Sequence, residues 1–306
     1  MPIIIKGSHF YYRLIEAKVK YYNLRYTDEE FIKYMYRKSF KMEMDLKNPL
    51  TFNEKMSLFK IKWNDSTGSS CADKVSLIDF ITKKGCEKYL NIVHGIYSNY
   101  KQINFKEIPN KFALKSSHAS GWNFICHDKS KIVHKQLKAS IAFWNRNNYY
   151  LFWRELIYKD MPKRILCENY LGNNQNQEPD DYKIWCFHGA PLYIEVDSNR
   201  SIEHQQEIFD IEWNNMPFKT RYPLLSKKPE KPIQLKEMLE LAAHLSDGFC
   251  FVRVDLYLVN NKIYVGEMTF FPRAGCKYFG SYEYDLMVGS YLSINSEINI
   301  LQKTNK

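Results

Sequence analysis

No stretch of the 306-residue chain stays apolar for the roughly 18–20 residues that a bilayer-crossing helix needs, so no spanning segment is expected. The opening run, Met1-Pro-Ile-Ile-Ile-Lys6, is too short and too poorly flanked to read as a secretory signal. No Cys-x-x-C pair occurs. The seven cysteines, Cys71, Cys86, Cys126, Cys167, Cys186, Cys250 and Cys276, are scattered and odd in number. That excludes a zinc ribbon or a dithiol motif and fits reduced, buried thiols in a cytoplasmic protein. Repeats and low-complexity tracts are missing too, which excludes a solenoid. No Asp-x-Asp occurs, the metal-holding pattern of many glycosyltransferases; Asp180 and Asp181 are adjacent instead.

What is present is ordinary for a globular protein: 45% hydrophobic and 25% charged residues. The length suffices for one large or two modest domains. The net charge of +10 suggests an anionic partner: a nucleotide, an acidic polysaccharide, nucleic acid or a membrane surface. Residues 8–22 and 28–40 read as basic, tyrosine-rich helices, the second opened by the capping box Thr27-Asp-Glu-Glu30. A second box, Thr51-Phe-Asn-Glu54, opens a helix running to about Trp63. The polar run 64–70 reads as a boundary loop, and a short helix over 73–84 stops at Gly85. Strands are expected at 112–115, 122–127 and 164–171, with a helix over 131–147. After a polar linker, 172–177, come a hairpin turning at His188-Gly189 and an amphipathic helix ending at Asp247-Gly248.

The most telling stretch is the last hairpin, Arg253-Val-Asp255-Leu-Tyr-Leu-Val259 and Ile263-Tyr-Val-Gly-Glu267-Met-Thr269 about Asn260-Asn261-Lys262. Register decides which side chains meet, because successive residues face opposite ways. A two-residue turn would pair Asp255 with Gly266 and separate the acids. A three-residue loop pairs Asp255 with Glu267 and gathers Val252, Val254, Leu256 and Leu258 with Tyr264, Gly266, Met268 and Phe270. Binary patterning favours the second register. Two carboxylates side by side repel unless a cation lies between them. Mg²⁺ suits such a pair, since it takes one or two carboxylates plus phosphate oxygens. The same acids could equally be solvated or paired with Arg253.

Lys115 ends an apolar strand before the small-residue loop 116–121, a setting suited to a nucleotide phosphate. An ordinary surface lysine fits too, for the loop lacks Walker spacing. Lys183 begins a hydrophobic strand, where facing inward would demand a partner. Glu168 lies where a strand gives way to a loop, so its backbone could meet a flat base or simply face water. His118 is read as a turn histidine and the 144–153 aromatics as core.

Taken together these residues resemble the ATP-grasp superfamily, and more closely its TupA-like branch. The resemblance is carried by Asn48-Pro-Leu-Thr-Phe-Asn-Glu-Lys55, Ala72-Asp-Lys74, Lys115–Gly121, Cys167-Glu-Asn-Tyr170, Asp181-Tyr-Lys183, Phe187-His-Gly189 and 251–272. It implies an α+β ATP-grasp fold, two lobes clasping ATP, with a helical N-terminal region at 1–68 and lobes at 69–171 and 172–306. It further implies phosphate contacts from Lys115, Ser120, Gly121 and Lys183, and a base-facing hinge at Glu168, Asn169 and Tyr170. Magnesium would be held by Asp255, Glu267 and Thr269, the last standing where the superfamily commonly has asparagine. Ala119 replaces an expected loop glycine. Arg253 and Arg273 are expected to grip the acyl phosphate or acceptor carboxylate.

The implied reaction activates a carboxylate with ATP and passes it to an amine as an amide. For the TupA-like branch the implied pair is a uronic acid of a bacterial surface polysaccharide and an amino acid, with no nucleic-acid partner. The basic helices of 6–41 suit an acidic glycan, a membrane surface or a plain solvated face. Alternatives are a glycosyltransferase or sugar kinase of the same pathway, or a non-enzymatic basic glycan binder.

Overall fold

The computed structural model describes residues 7–172, 178–200 and 203–293. The opening Met1–Lys6 and the linker at 173–177 lie outside them. The protein is α+β, with two antiparallel sheets. The first contains β1 (Val93–Tyr97), β2 (Phe112–Ser116), β3 (Asn123–Cys126) and β4 (Ile165–Asn169), in the order β1-β4-β2-β3. The second contains β5 (Asp181–Phe187), β6 (Ala190–Ser198), β7 (Gln205–Asp210), β8 (Phe251–Val259) and β9 (Lys262–Thr269), in the order β7-β6-β5-β8-β9. β5 is central and buried at every position, with apolar Ile184–Phe187 in the core and the charged Asp181 and Lys183 buried near its start.

Helices α1 (His9–Arg25) and α2 (Asp28–Phe40) begin at Ser8 and Thr27, whose hydroxyls accept from Tyr11 and Glu30 backbone N–H groups. The capping box expected at Thr51 opens α3 (Phe52–Lys62). The run read as a boundary loop is instead helical: Asp65 caps α4 (Ser66–Ala72). Asp65 accepts from the Thr67 N–H, so a polar stretch that resembles a linker supplies a helix start. The next helix, α5 (Ser76–Lys83), stops before Gly85 in the left-handed region. α6 (His134–Arg146) and the short α7 (Tyr150–Trp153) complete the first half. Of the 144–153 aromatics expected in the core, Trp144 is buried but Trp153 is 37% exposed.

In the second half, α8 (Leu235–Ser246) buries Met238, Leu241, Ala242 and Leu245, the i, i+3, i+4, i+7 spacing of one face. Leu245→Ala there would cost about 2–5 kcal/mol. A final helix, α9 (Tyr282–Ser290), is capped by Ser281. Packing cuts across the linear division at residues 68 and 171. Phe52, Met56, Phe59, Cys71, Leu77, Ile81 and Cys86 join the core of the second sheet. The first sheet packs its own cluster with α6: Phe112, Leu114, Cys126, Leu137, Ile141 and Ile165. No helix among the described residues is long and apolar enough to cross a membrane.

The β8–β9 hairpin keeps the expected pairing of Asp255 with Glu267 but not the three-residue loop expected to produce it. Its turn is the two-residue form: Asn260 and Asn261 both lie at positive φ, and Val259 pairs with Lys262. Leu256 therefore meets Val265, and Ile263 and Val265, not Tyr264 and Gly266, join the apolar face. A register shift between Asp255 and Leu256 then restores the pairing of Asp255 with Glu267. Gly266 sits in this bulge. A Cβ there would lie 2.6 Å from Tyr257 Cε2 and 3.3 Å from the Asp255 carbonyl oxygen.

Candidate active site

Cross-strand pairing places four charged residues on one rung of the second sheet. Glu195 of β6 faces Lys183 of β5, Lys183 faces Asp255 of β8, and Asp255 faces Glu267 of β9. The next rung brings Arg253 opposite Thr269. Arg253 donates to both oxygens of Asp255, from Nε at 2.7 Å and Nη2 at 2.6 Å, and Nη2 also reaches Thr269 Oγ1 at 3.3 Å. The hydroxyl of Thr269 donates to Glu267 at 3.3 Å. Arg253, Asp255 and Lys183 are all buried. The polar face of this sheet is thus a charge network rather than a solvated surface, and its cations offset its acids.

Lys183 is held between Asp181 and Asp197, the latter at 3.0 Å. Burial disfavours its charge, but Asp181, Asp255 and Asp197 outweigh that and raise its pKa. Burial pushes the Asp255 carboxyl up, to about 7, against the pull of Arg253 and Lys183. The short, two-pronged contact is nonetheless that of a guanidinium on a carboxylate. At Glu267 the balance reverses: burial would raise it, but Lys74, Arg253, Lys183 and Arg200 together hold it down, to about 2.

The first sheet contributes a simpler pair. Lys115 of β2 bonds Glu168 of β4 at 2.5 Å, across adjacent strands. Burial opposes the Lys115 charge, yet Glu168, with Glu267 and Asp181 behind it, raises its pKa. The two sheets' charges therefore share one region. Gly121 adopts a left-handed conformation with open space around it, and Ser120 is exposed at the tip of the same loop. His118 is buried and bonds the Trp144 carbonyl and the Ser116 hydroxyl, a structural role. Of the expected hinge, Asn169 has both backbone groups engaged. Its N–H donates to Ile92 O and its carbonyl accepts from Asn91 Nδ2. The Tyr170 ring stands edge-on to His127 at 4.9 Å.

Sequence reading missed two lysines here. Lys74 lies 3.6 Å from Glu267 and donates to Ala119 O at 2.9 Å, tying the 116–121 loop to β9. Lys277 donates to Glu195 at 2.5 Å and to Gln206 at 3.1 Å. Its own backbone is fixed by Asn53, which accepts from Lys277 N–H and donates to Lys277 O. Lys74 stood within a stretch that carried the resemblance, but with no spacing to give it a role. Lys277 had no local signal. Arg273 stands apart from the carboxylates: it is exposed, in the left-handed region, with its guanidinium 4.8 Å from the Tyr222 ring.

Hard oxygen donors suit Mg²⁺, and Asp255, Glu267 and Thr269 supply two carboxylates and a hydroxyl on adjoining strands. No cluster of three or more His, Cys, Asp or Glu side chains able to hold a metal occurs among the described residues. The fit is therefore to an ion that takes its remaining ligands from phosphate and water, not to one caged by protein alone.

Two antiparallel sheets, each presenting an inward lysine beside carboxylates, define an ATP-grasp architecture. The sequence matches the family described as TupA-like ATP-grasp over residues 54–293, and the chain belongs to that family. No curated protein matches it. Among solved structures it is similar to a D-alanine–D-alanine ligase from Bacillus anthracis, at 16% identity and a TM-score of 0.46, covering 87% of this chain and 94% of that one. The same enzyme complexed with ATP matches at 18% identity and a TM-score of 0.38, covering 66% of this chain and 56% of that one. The Helicobacter pylori D-alanine–D-alanine ligase matches at 13% and 0.42, covering 79% and 69%. At these scores the likenesses add no argument beyond the family match.

Proposed function

We propose that the protein is an ATP-dependent carboxylate–amine ligase. The carrying observation is the rung Glu195–Lys183–Asp255–Glu267 with the Arg253 fork beside it. Transfer of a phosphoryl group asks the protein mainly for positioned charge, and this rung concentrates it. Lys115, Ser120, Gly121 and Lys183 hold the phosphates, while Glu168 and Tyr170 face the base, with Asn169 keeping that segment in place through its backbone. Asp255, Glu267 and Thr269 are the residues that would hold Mg²⁺. When bound, the ion supplies positive charge among the phosphate oxygens.

A carboxylate oxygen of the substrate attacks the γ-phosphorus and ADP leaves. An amine then attacks the acyl carbon, phosphate leaves with the C–O bond pair, and the proton lost from the nitrogen passes to the departing phosphate or to water. Arg253 neutralises the developing oxygen charge, and Arg273 receives an anionic group of the acceptor at the rim. The substrates are a uronic acid of a surface polysaccharide and an amino acid. Family membership supports this pairing.

Incubating the purified chain with ATP, Mg²⁺, a uronic-acid glycan and amino acids should release ADP and phosphate and yield an amide, read by product mass. Cleavage of a sugar nucleotide without ADP release identifies a glycosyltransferase, and a phosphate ester identifies a kinase. Salt-sensitive glycan binding with no turnover leaves a binding protein.

A further inference from the structure

Helix α1 carries apolar side chains on both of its faces, and only one face is covered. Inward, Tyr12 stacks on Phe143 at 4.3 Å and bonds Ser140, Ile15 packs on the first core, and Tyr22 meets Phe31 edge-on. Outward, Phe10 is 56% exposed, Leu14 46%, Tyr21 55% and Leu24 80%. At about 3.6 residues per turn these four, with Ala17 among them, fall within a stripe roughly 80° wide. Exposed Arg13 and Lys20 flank it on one side, and Lys18 and Arg25 on the other. Arg25 also donates to the hydroxyls of Tyr21 and Tyr26. The only acid of the helix, Glu16, is turned away and bonds Arg146 and Asn147 of the α6 end at 2.9 Å each.

A stripe of Phe, Leu and Tyr bordered on both sides by cations, with no acid facing out, is the chemistry of a helix lying in the plane of a lipid surface. Aromatic and leucine side chains enter the acyl boundary. The flanking lysines and arginines reach outward along their own methylenes to phosphate headgroups. We infer that the outer face of α1 docks this protein on a membrane of anionic phospholipid. Bare solvation explains a charged helix face, but not Leu24 at 80% exposure in line with three other large apolar residues. Charge complementarity selects anionic lipid over a second copy of the chain, whose α1 face would bring cations against cations. The inference stands apart from the ligase reading, since none of these residues touches the carboxylate rung.

The test is co-sedimentation of the full chain with vesicles of phosphatidylcholine and phosphatidylglycerol, compared with phosphatidylcholine alone, at physiological salt. The expected result is binding to the mixed vesicles at least about tenfold tighter than to neutral ones, weakening as salt rises. The Phe10→Ser/Leu14→Ser/Leu24→Ser variant should lose about tenfold or more of that partitioning. Its thermal midpoint should stay unchanged, because these side chains are exposed. The Arg13→Gln/Lys18→Gln/Lys20→Gln variant should lose severalfold and most of the salt dependence. No binding to either vesicle, or equal binding by the triple-serine variant, overturns the inference. So does a dimer that the triple-serine change dissolves while vesicles bind neither form.

Discussion

The two sheets handle charge differently. In the first, one lysine and one glutamate, Lys115 and Glu168, satisfy each other across neighbouring strands. In the second, Arg253, Lys183 and Lys277 are shared among Asp181, Glu195, Asp197 and Asp255, with Gln206 bridging Glu195 to Asp197. A lone pair can be altered with local consequences. A shared network redistributes any loss, because each remaining charge is buried and keeps only some of its partners. The first sheet carries one isolated pair, the second a network in which Arg200 and Lys74 also bridge to Asp181 and Glu267.

The largest expected effect would test the acid-rich side directly. Glu267→Gln should lower Mg²⁺-dependent ATP turnover by about 100-fold or more while the fold persists, read by ADP release and circular dichroism. Turnover within severalfold of wild type would remove Glu267 from the metal site. Asp255→Asn should be equally inactive but also less stable, because Arg253 loses half of its fork. Next, the sheets should separate in stability. Lys183→Met strands several buried acids and should cost about 3–5 kcal/mol in urea unfolding, more than Lys115→Met, which leaves only Glu168 without its partner. Equal costs would erase the distinction drawn between the two sheets.

A smaller effect is expected at the bulge. Gly266→Ala should cost about 1–3 kcal/mol, since its Cβ meets Tyr257 and the Asp255 carbonyl. An unchanged midpoint would show that Tyr257 yields freely. The smallest effect is a pH dependence. Glu267 is depressed from 4.5 to about 2, so its contribution is fully present above about 4.5 and lost as pH falls toward about 2. Its side chain is 34% exposed, which trims the size. Between these limits wild type should lose more stability than Glu267→Gln; identical acid limbs would refute the depressed value.

Most of what local pattern controls was legible. Both capping boxes, the amphipathic α8 and the pairing of Asp255 with Glu267 follow from residue spacing. The hairpin shows the limit. Alternation correctly demanded that the acids share a face, but the same parity can be met by a longer loop or by a bulge, and only Gly266 hinted at the bulge. Four elements escaped notice: β1, β7, α7 and α9. Each is short or mixed in polarity, held by packing or strand pairing with other elements rather than marked by its own periodicity. Lys277 was invisible for the same reason, as its partner Glu195 lies on a strand 82 residues earlier. Asp65–Ala72 was misread because small polar residues serve both loops and helix starts.

Asn53 fastens the start of α3 to two separate points in the last part of the chain. Its amide clamps residue 277, 224 positions downstream, and through its backbone and side chain it grips Asp285, 232 positions downstream. A chain severed at residue 69 would therefore leave the last third without its fastening, whereas one begun just ahead of Thr51 would keep it. The practical unit of this fold starts in the middle of what looks, on paper, like a preamble.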